Sequence, residues 1–219
     1  MVDEKTVKYK RTEEKEGSED ICLKSLRNFR VVIFGSARIE RGDEHWKLIY
    51  DLAKRIAEEG MDLVTGGGPG LMNAASEGHF AGDDKKTAQS IGLQIILPKA
   101  QKDARHLDII KDFSRFSTRL DTFVEFGNVI VVASGGIGTM LEFFYTWQLM
   151  QVKMIREIPI ILLGNMWQDF VHWIKKWPLK KKLLGQEDID LLFLVNNNED
   201  VLTIIKKAYE EFKTRQSSS

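Results

Sequence analysis

The sequence predicts a doubly wound α/β fold, a parallel sheet with helices on both faces, and three observations carry that prediction. Short apolar runs alternate along the chain with longer segments whose apolar residues recur at helical spacing. Several runs, such as Arg30 to Phe34 and Asn128 to Ala133, are apolar almost throughout, as strands covered on both faces are. The loops divide unequally: glycine, hydroxyl and arginine side chains collect in the loops after strands, while the loops after helices are plain charged connectors. In such sheets ligands sit at the carboxyl ends of the strands, so that edge is the expected site.

Residues Met1 to Asp20 are dense in charge and poor in apolar periodicity, and they read as a mobile tail followed by a short helix near Ile21 to Asn28. Arg30 to Phe34 is the first buried strand, stopped by Gly35-Ser36. His45 to Glu59 sets Leu48, Ile49, Leu52 and Ile56 at helical spacing, and Gly60 ends the helix. Asp62 to Thr65 is a strand, followed by Gly66-Gly-Gly-Pro-Gly70 and a helix from Leu71 to Ala81. Ser90 to Leu97 is a strand ended by Pro98, and Leu107 to Lys111 is a weaker one. Ser117 is placed to cap a helix that runs to Phe126. Asn128 to Ala133 leads through Ser134-Gly-Gly-Ile-Gly138 into a helix reaching Val152. Strands at Pro159 to Leu163 and Leu191 to Val195, with helices at Trp167 to Trp177 and Glu199 to Phe212, close the series. Residues 21–214 are expected to form one Rossmann-like nucleotide-binding domain, and Arg215 to Ser219 a frayed end.

Composition narrows the function. With 219 residues, 43% of them hydrophobic, the chain can bury a proper core. Lys+Arg and Asp+Glu both number 32, so the chain lacks the basic excess of a nucleic-acid-binding protein. Cys22 is the single cysteine, which excludes an intramolecular disulfide and a cysteine-based metal site; the four histidines lack ligand spacing, and no metal is expected. The charged beginning has no signal-peptide core and no run of about 18 apolar residues occurs, so the expectation is a cytoplasmic protein with no membrane partner. Trp173 to Lys182 interleaves bases with aromatics, as a nucleic-acid or membrane patch does, and is read as an amphipathic helix end with a solvated basic face.

The chemistry concentrates in two turns. In Thr65-Gly66-Gly67-Gly68-Pro69-Gly70, glycines let the backbone approach an anion at a helix start, although such turns also serve tight packing. The turn matches neither a dinucleotide fingerprint nor a Walker sequence. Ser134-Gly135-Gly136-Ile137-Gly138-Thr139 puts three glycines and two hydroxyls between a buried strand and a helix N-terminus, a cradle for one phosphate. No lysine follows to balance a di- or triphosphate, so a monophosphate suits it better. Glu142, expected in the first helical turn, is followed by Phe143 and Phe144, apolar surroundings in which an idle charge is costly. Arg119, at the start of the preceding helix, opposes the helix dipole; Asp121 and Asp112 are candidate ion-pair partners.

Phe34-Gly-Ser36-Ala-Arg38, Gly66-Gly67-Gly68-Pro-Gly70-Leu-Met72 and Ser134-Gly135-Gly136-Ile-Gly138-Thr139-Met-Leu-Glu142, in this order, resemble the LOG ("Lonely guy") family of cytokinin-activating enzymes and their bacterial relatives, long labelled lysine decarboxylases. The resemblance covers Arg30 to Phe212 and implies a phosphoribohydrolase, which converts a nucleoside 5′-monophosphate and water to free base and ribose 5-phosphate without a cofactor. It implies that Gly135, Gly136, Gly138 and Thr139 hold the phosphate, that Glu142 and Arg119 are the catalytic pair, and that the protein is a homodimer or larger assembly with the helix Met140 to Met150 at its interface. The chain departs from the family pattern at Ser134, where proline is usual, and at Leu141 and Leu120, where charged residues are common. The competing expectation is a non-catalytic nucleotide-binding or molybdenum-cofactor-carrier-like protein, which needs the cradle but not the Arg119/Glu142 pair.

Overall fold

The computed structural model describes residues 10–12, 28–98 and 102–217. Among the described residues, eight strands form one sheet: β1 (Lys10–Thr12), β2 (Arg30–Phe34), β3 (Asp62–Thr65), β4 (Ser90–Ile95), β5 (Ile109–Phe113), β6 (Val129–Val132), β7 (Ile160–Leu163) and β8 (Leu192–Val195). Their order is β1-β5-β4-β3-β2-β6-β7-β8. Each neighbouring pair is parallel, as the doubly wound expectation requires. The helices are α1 (Glu44–Glu58), α2 (Leu71–Gly82), α3 (Phe116–Phe126), α4 (Ile137–Gln151), α5 (Asn165–Ile174), the short α6 (Gln186–Asp190) and α7 (Asn198–Ser217).

Strand alternation splits the core in two. Val31, Ile33, Leu63 and Val131 face one side, where they pack with Leu52 and Ile56 of α1, Leu71 and Ala74 of α2, and Ile205 of α7. Val32, Phe34, Val64, Ile130 and Val132 face the other, against Phe123 of α3, Phe143 of α4 and Trp167 of α5. Each buried aliphatic or aromatic side chain contributes roughly 1.5–3 kcal/mol, so neither face can be left bare. The central strands β2, β3 and β6 are buried at every position, which is why β2 and β6 read as nearly continuous apolar runs.

The structure corrects several boundaries. Lys10–Thr12, within the segment read as a tail, pair with Ile109–Lys111 as an outermost strand. An edge ladder of three residues is held by backbone hydrogen bonds and needs no apolar pattern, so composition did not mark it. The helix expected near Ile21 lies outside the described residues up to Asn28. Ser117 does not cap α3: the chain turns in at Arg115 with extended backbone (φ −124°, ψ 137°) and no side-chain cap bond. The helix expected over Trp167 to Trp177 begins at Asn165 and passes after Ile174 into a π turn, Lys175–Leu179, around Pro178, whose missing N–H breaks the α pattern.

Candidate active site

From β2 the chain runs outward through β3, β4 and β5, and later returns beside β2 to build β6, β7 and β8 on the other side. The loops after β2 and β6 therefore diverge, and the crevice they leave is where doubly wound sheets bind ligands. Three turns are stitched together there. The Ser36 amide donates to the Ser134 carbonyl (3.0 Å), and the Leu71 amide donates to the Ser36 carbonyl (2.9 Å). The Ser36 hydroxyl accepts from the Arg38 amide (3.1 Å), while the Arg38 side chain is exposed.

The two glycine turns differ. In the first, packing requires the glycines. Gly70 has φ +68°, and a Cβ there would run into the Ser36 carbonyl and the Ala37 backbone. A Cβ on Gly66 would lie 2.5 Å from the Arg119 guanidinium and 2.7 Å from the Met72 sulfur. Gly67 has its amide on Thr65 Oγ1 (3.1 Å) and its carbonyl on Gln94 Nε2 (2.9 Å), and Gly68 is buried beside it. This turn shapes the floor of the crevice.

The second turn stays open. A Cβ on Gly136 or Gly138 would meet nothing within 4 Å. Gly136 caps α4 without a side-chain bond, and the first helical hydrogen bond runs from the Met140 amide to the Gly136 carbonyl (2.9 Å). The amides of Ile137, Gly138 and Thr139 are thus the orphan donors of a 15-residue helix, at its positive end. Thr139 is buried, with its hydroxyl against Gly135, so it braces the turn from below. The space above Gly136 and Gly138 is thus an open cradle at the positive end of the helix, the kind of place where anions bind.

Beside this cradle, Arg119 of α3 pairs with Glu142 of α4 through Nη1 and Oε1 at 3.1 Å, the two side chains being only 8% and 12% exposed. The pairing replaces the Asp121 or Asp112 partners expected from spacing. Arg119 Nε also donates to the Leu93 carbonyl in the second half of β4 (2.7 Å), and its guanidinium lies 5.0 Å from the Phe123 ring centre. Glu142 sits in the second turn of α4, one turn later than expected, because the helix begins at Ile137. Burial pushes its carboxyl up to about 7, against the opposing pull of Arg119. Burial also lowers Arg119, partly offset by Glu142. A carboxylate that titrates near neutrality beside an anchored guanidinium is equipped for charge stabilisation and proton transfer.

Sequence reasoning missed three contributors, the Leu93 carbonyl, Gln94 and Tyr145, and named Asp121 with the wrong partner. Gln94 bonds both the Gly67 carbonyl and Asp103 Oδ1 (3.1 Å). The Tyr145 hydroxyl donates to Asp121, one helix turn beyond Glu142 and half a turn beyond Arg119, so the two helices that carry the pair are tied twice. That bond raises Tyr145 to about 12. A polar residue such as Gln94 inside a β4 run of otherwise apolar character was the available signal.

A family model described as "Possible lysine decarboxylase" matches residues 72–205. Among solved structures, the chain is similar to the molybdenum cofactor binding protein from the phototrophic bacterium Rippkaea orientalis, with 20% identity, a TM-score of 0.62, and coverage of 83% of this chain and 98% of that one. It is also similar to the molybdenum cofactor carrier protein from Chlamydomonas reinhardtii, with 19% identity, a TM-score of 0.61, and coverage of 84% and 99%. At these identities the likeness concerns the fold. No curated protein sequence matches the chain.

Proposed function

The chain belongs to the possible lysine decarboxylase family, to which its LOG-like turns also point, and from that premise we propose that it hydrolyses the N-glycosidic bond of a nucleoside 5′-monophosphate. The family's description names a decarboxylase; what this site gathers is an open helix start and a carboxylate–guanidinium pair. The observation that carries the proposal is the buried Arg119–Glu142 pair next to the open start of α4.

The 5′-phosphate rests on the amides of Ile137, Gly138 and Thr139, and the ribose extends toward Glu142. As the C1′–N bond breaks, its electron pair leaves with the base and positive charge grows on the ribose. The Glu142 carboxylate stabilises that charge and takes a proton from the water whose oxygen bonds to C1′. The proton passes to the departing base, giving free base and ribose 5-phosphate. Arg119, fixed by Leu93 and Glu142, orients the nucleotide and balances the leaving negative charge. Phosphate binding, remote from the broken bond, supplies orientation.

Chromatography of AMP and other common nucleoside monophosphates after incubation with the protein tests this reading. Free base and ribose 5-phosphate in equal amounts are expected. The second reading, a carrier, is favoured by the fold shared with a molybdenum cofactor carrier protein. It predicts binding without products.

A further inference from the structure

At the sheet edge opposite the cradle lies a surface that the proposed activity does not use. The 17 residues from Phe170 to Gln186 hold five lysines and no carboxylate, in a chain whose charges balance overall. Helix α5 starts at the carboxyl end of β7 and runs back along the sheet, so its last turn and the π turn that follows stand at the amino edge. There Ile174, Leu179 and Leu184 turn inward onto the core. Trp173 (52%), Trp177 (46%) and Leu183 (75%) are left exposed. The ammonium groups of Lys176 and Lys181 lie 5.6 and 5.7 Å from the Trp177 ring centre, so these bases and the indole share one face. Among the described residues, no ion pair involves Lys175, Lys176, Lys180, Lys181 or Lys182.

We propose that this segment, which carries exposed Trp173, Trp177 and Leu183 among five lysines without an ion-pair partner, docks the protein on the surface of an anionic phospholipid membrane. A merely solvated basic face needs lysines alone; it does not need two indoles and a leucine held out in water. Tryptophan settles at the headgroup level of a bilayer, where its ring is apolar and its N–H remains wet. Lysines around it draw acidic headgroups and can lay their stems along the apolar patch. The occupant is a lipid surface rather than a nucleic-acid strand because the segment has no arginine to grip phosphates bidentately, and because Leu183 offers a strand nothing. Docked this way the chain lies on the membrane without crossing it; no described helix is long and apolar enough to span one. The cradle edge then faces solution.

The test is flotation of the full chain with vesicles of phosphatidylcholine alone and of phosphatidylcholine with about 30% phosphatidylserine, at low and high salt. Binding to the acidic vesicles is expected, at least about tenfold stronger than to neutral ones and weakened by salt. The K180E/K181E/K182E variant should lose it, W173A/W177A should weaken it, and both should release base from AMP at the parent's rate. The tryptophan emission of the parent should shift to the blue on binding. No binding to acidic vesicles, binding that survives both variants, or a single-stranded oligonucleotide held at this face in preference to vesicles overturns the proposal.

Discussion

Arg119 is held by groups that are distant in sequence: the Leu93 carbonyl takes its Nε, Glu142 takes its Nη1, and Gly66 leaves room for the rest of the fork. Lysine cannot make both bonds from one ammonium at these positions, so Arg119→Lys should lower kcat by about tenfold or more while the fold survives, checked by kinetics and circular dichroism. Glu142 makes a sharper prediction. Its carboxyl, held up at about 7 by burial, acts in the ionised form, so kcat/KM should rise with pH through an inflection near 7 and level above it. A flat or falling profile across that range contradicts the role. The same shift acts on stability: the folded state holds this proton more tightly than the unfolded chain does. The stability the proton confers is full below about 4.5 and is lost as pH rises through about 7. Glu142 was legible in sequence because Phe143 and Phe144 follow it. The partner of Arg119 was not legible from spacing, because Asp112 and Asp121 are the nearby carboxylates and only the packing of α3 on α4 gives Arg119 to Glu142 and Asp121 to Tyr145.

At the level of elements, α2 and α4 both begin at glycine-rich turns, and the sequence makes them look alike. They differ in what meets them. The first amide of α2 is taken by the Ser36 carbonyl, whereas the start of α4 opens on empty space. Gly138→Ala should therefore leave thermal stability unchanged or slightly raised, since alanine is the better helix former, yet weaken AMP binding about tenfold or more by filling the phosphate space. Gly70→Ala should do the reverse, costing more than about 1 kcal/mol of stability through its positive φ and its contact with Ser36. Denaturant unfolding and calorimetry with AMP separate the two. No single-sequence rule distinguishes these turns, because the difference lies in φ angles and tertiary neighbours. The Trp173 to Lys182 segment teaches the same lesson: its composition was plain, but which side chains the π turn leaves in water depended on the fold.

For the whole molecule, the alternation of apolar runs and helical patterns was enough to give the doubly wound sheet, and the loop asymmetry is what pointed to its carboxyl edge as the proposed site. The strand order, with β2 and β6 adjacent at the reversal, needed the structure. Trp147, on the helix expected at the interface, is buried within the chain with its indole donating to the Asp188 carbonyl (2.8 Å). Phe144, Met140 and Leu141 remain about two-fifths exposed on α4, and a second copy of the chain is their proposed cover. Light scattering should give twice the 25.1 kDa chain mass or a multiple of that; a monomer at micromolar concentration contradicts it. The central claim is that the buried pair makes this a hydrolase and not a carrier. Its most direct test follows AMP binding and adenine release together in the parent and in Glu142→Gln. The account predicts that both proteins bind AMP with similar affinity, that the parent releases adenine and ribose 5-phosphate, and that the variant does so about 10² times more slowly or less. Binding by the parent with no release of either product, or release that Glu142→Gln leaves unchanged, contradicts it.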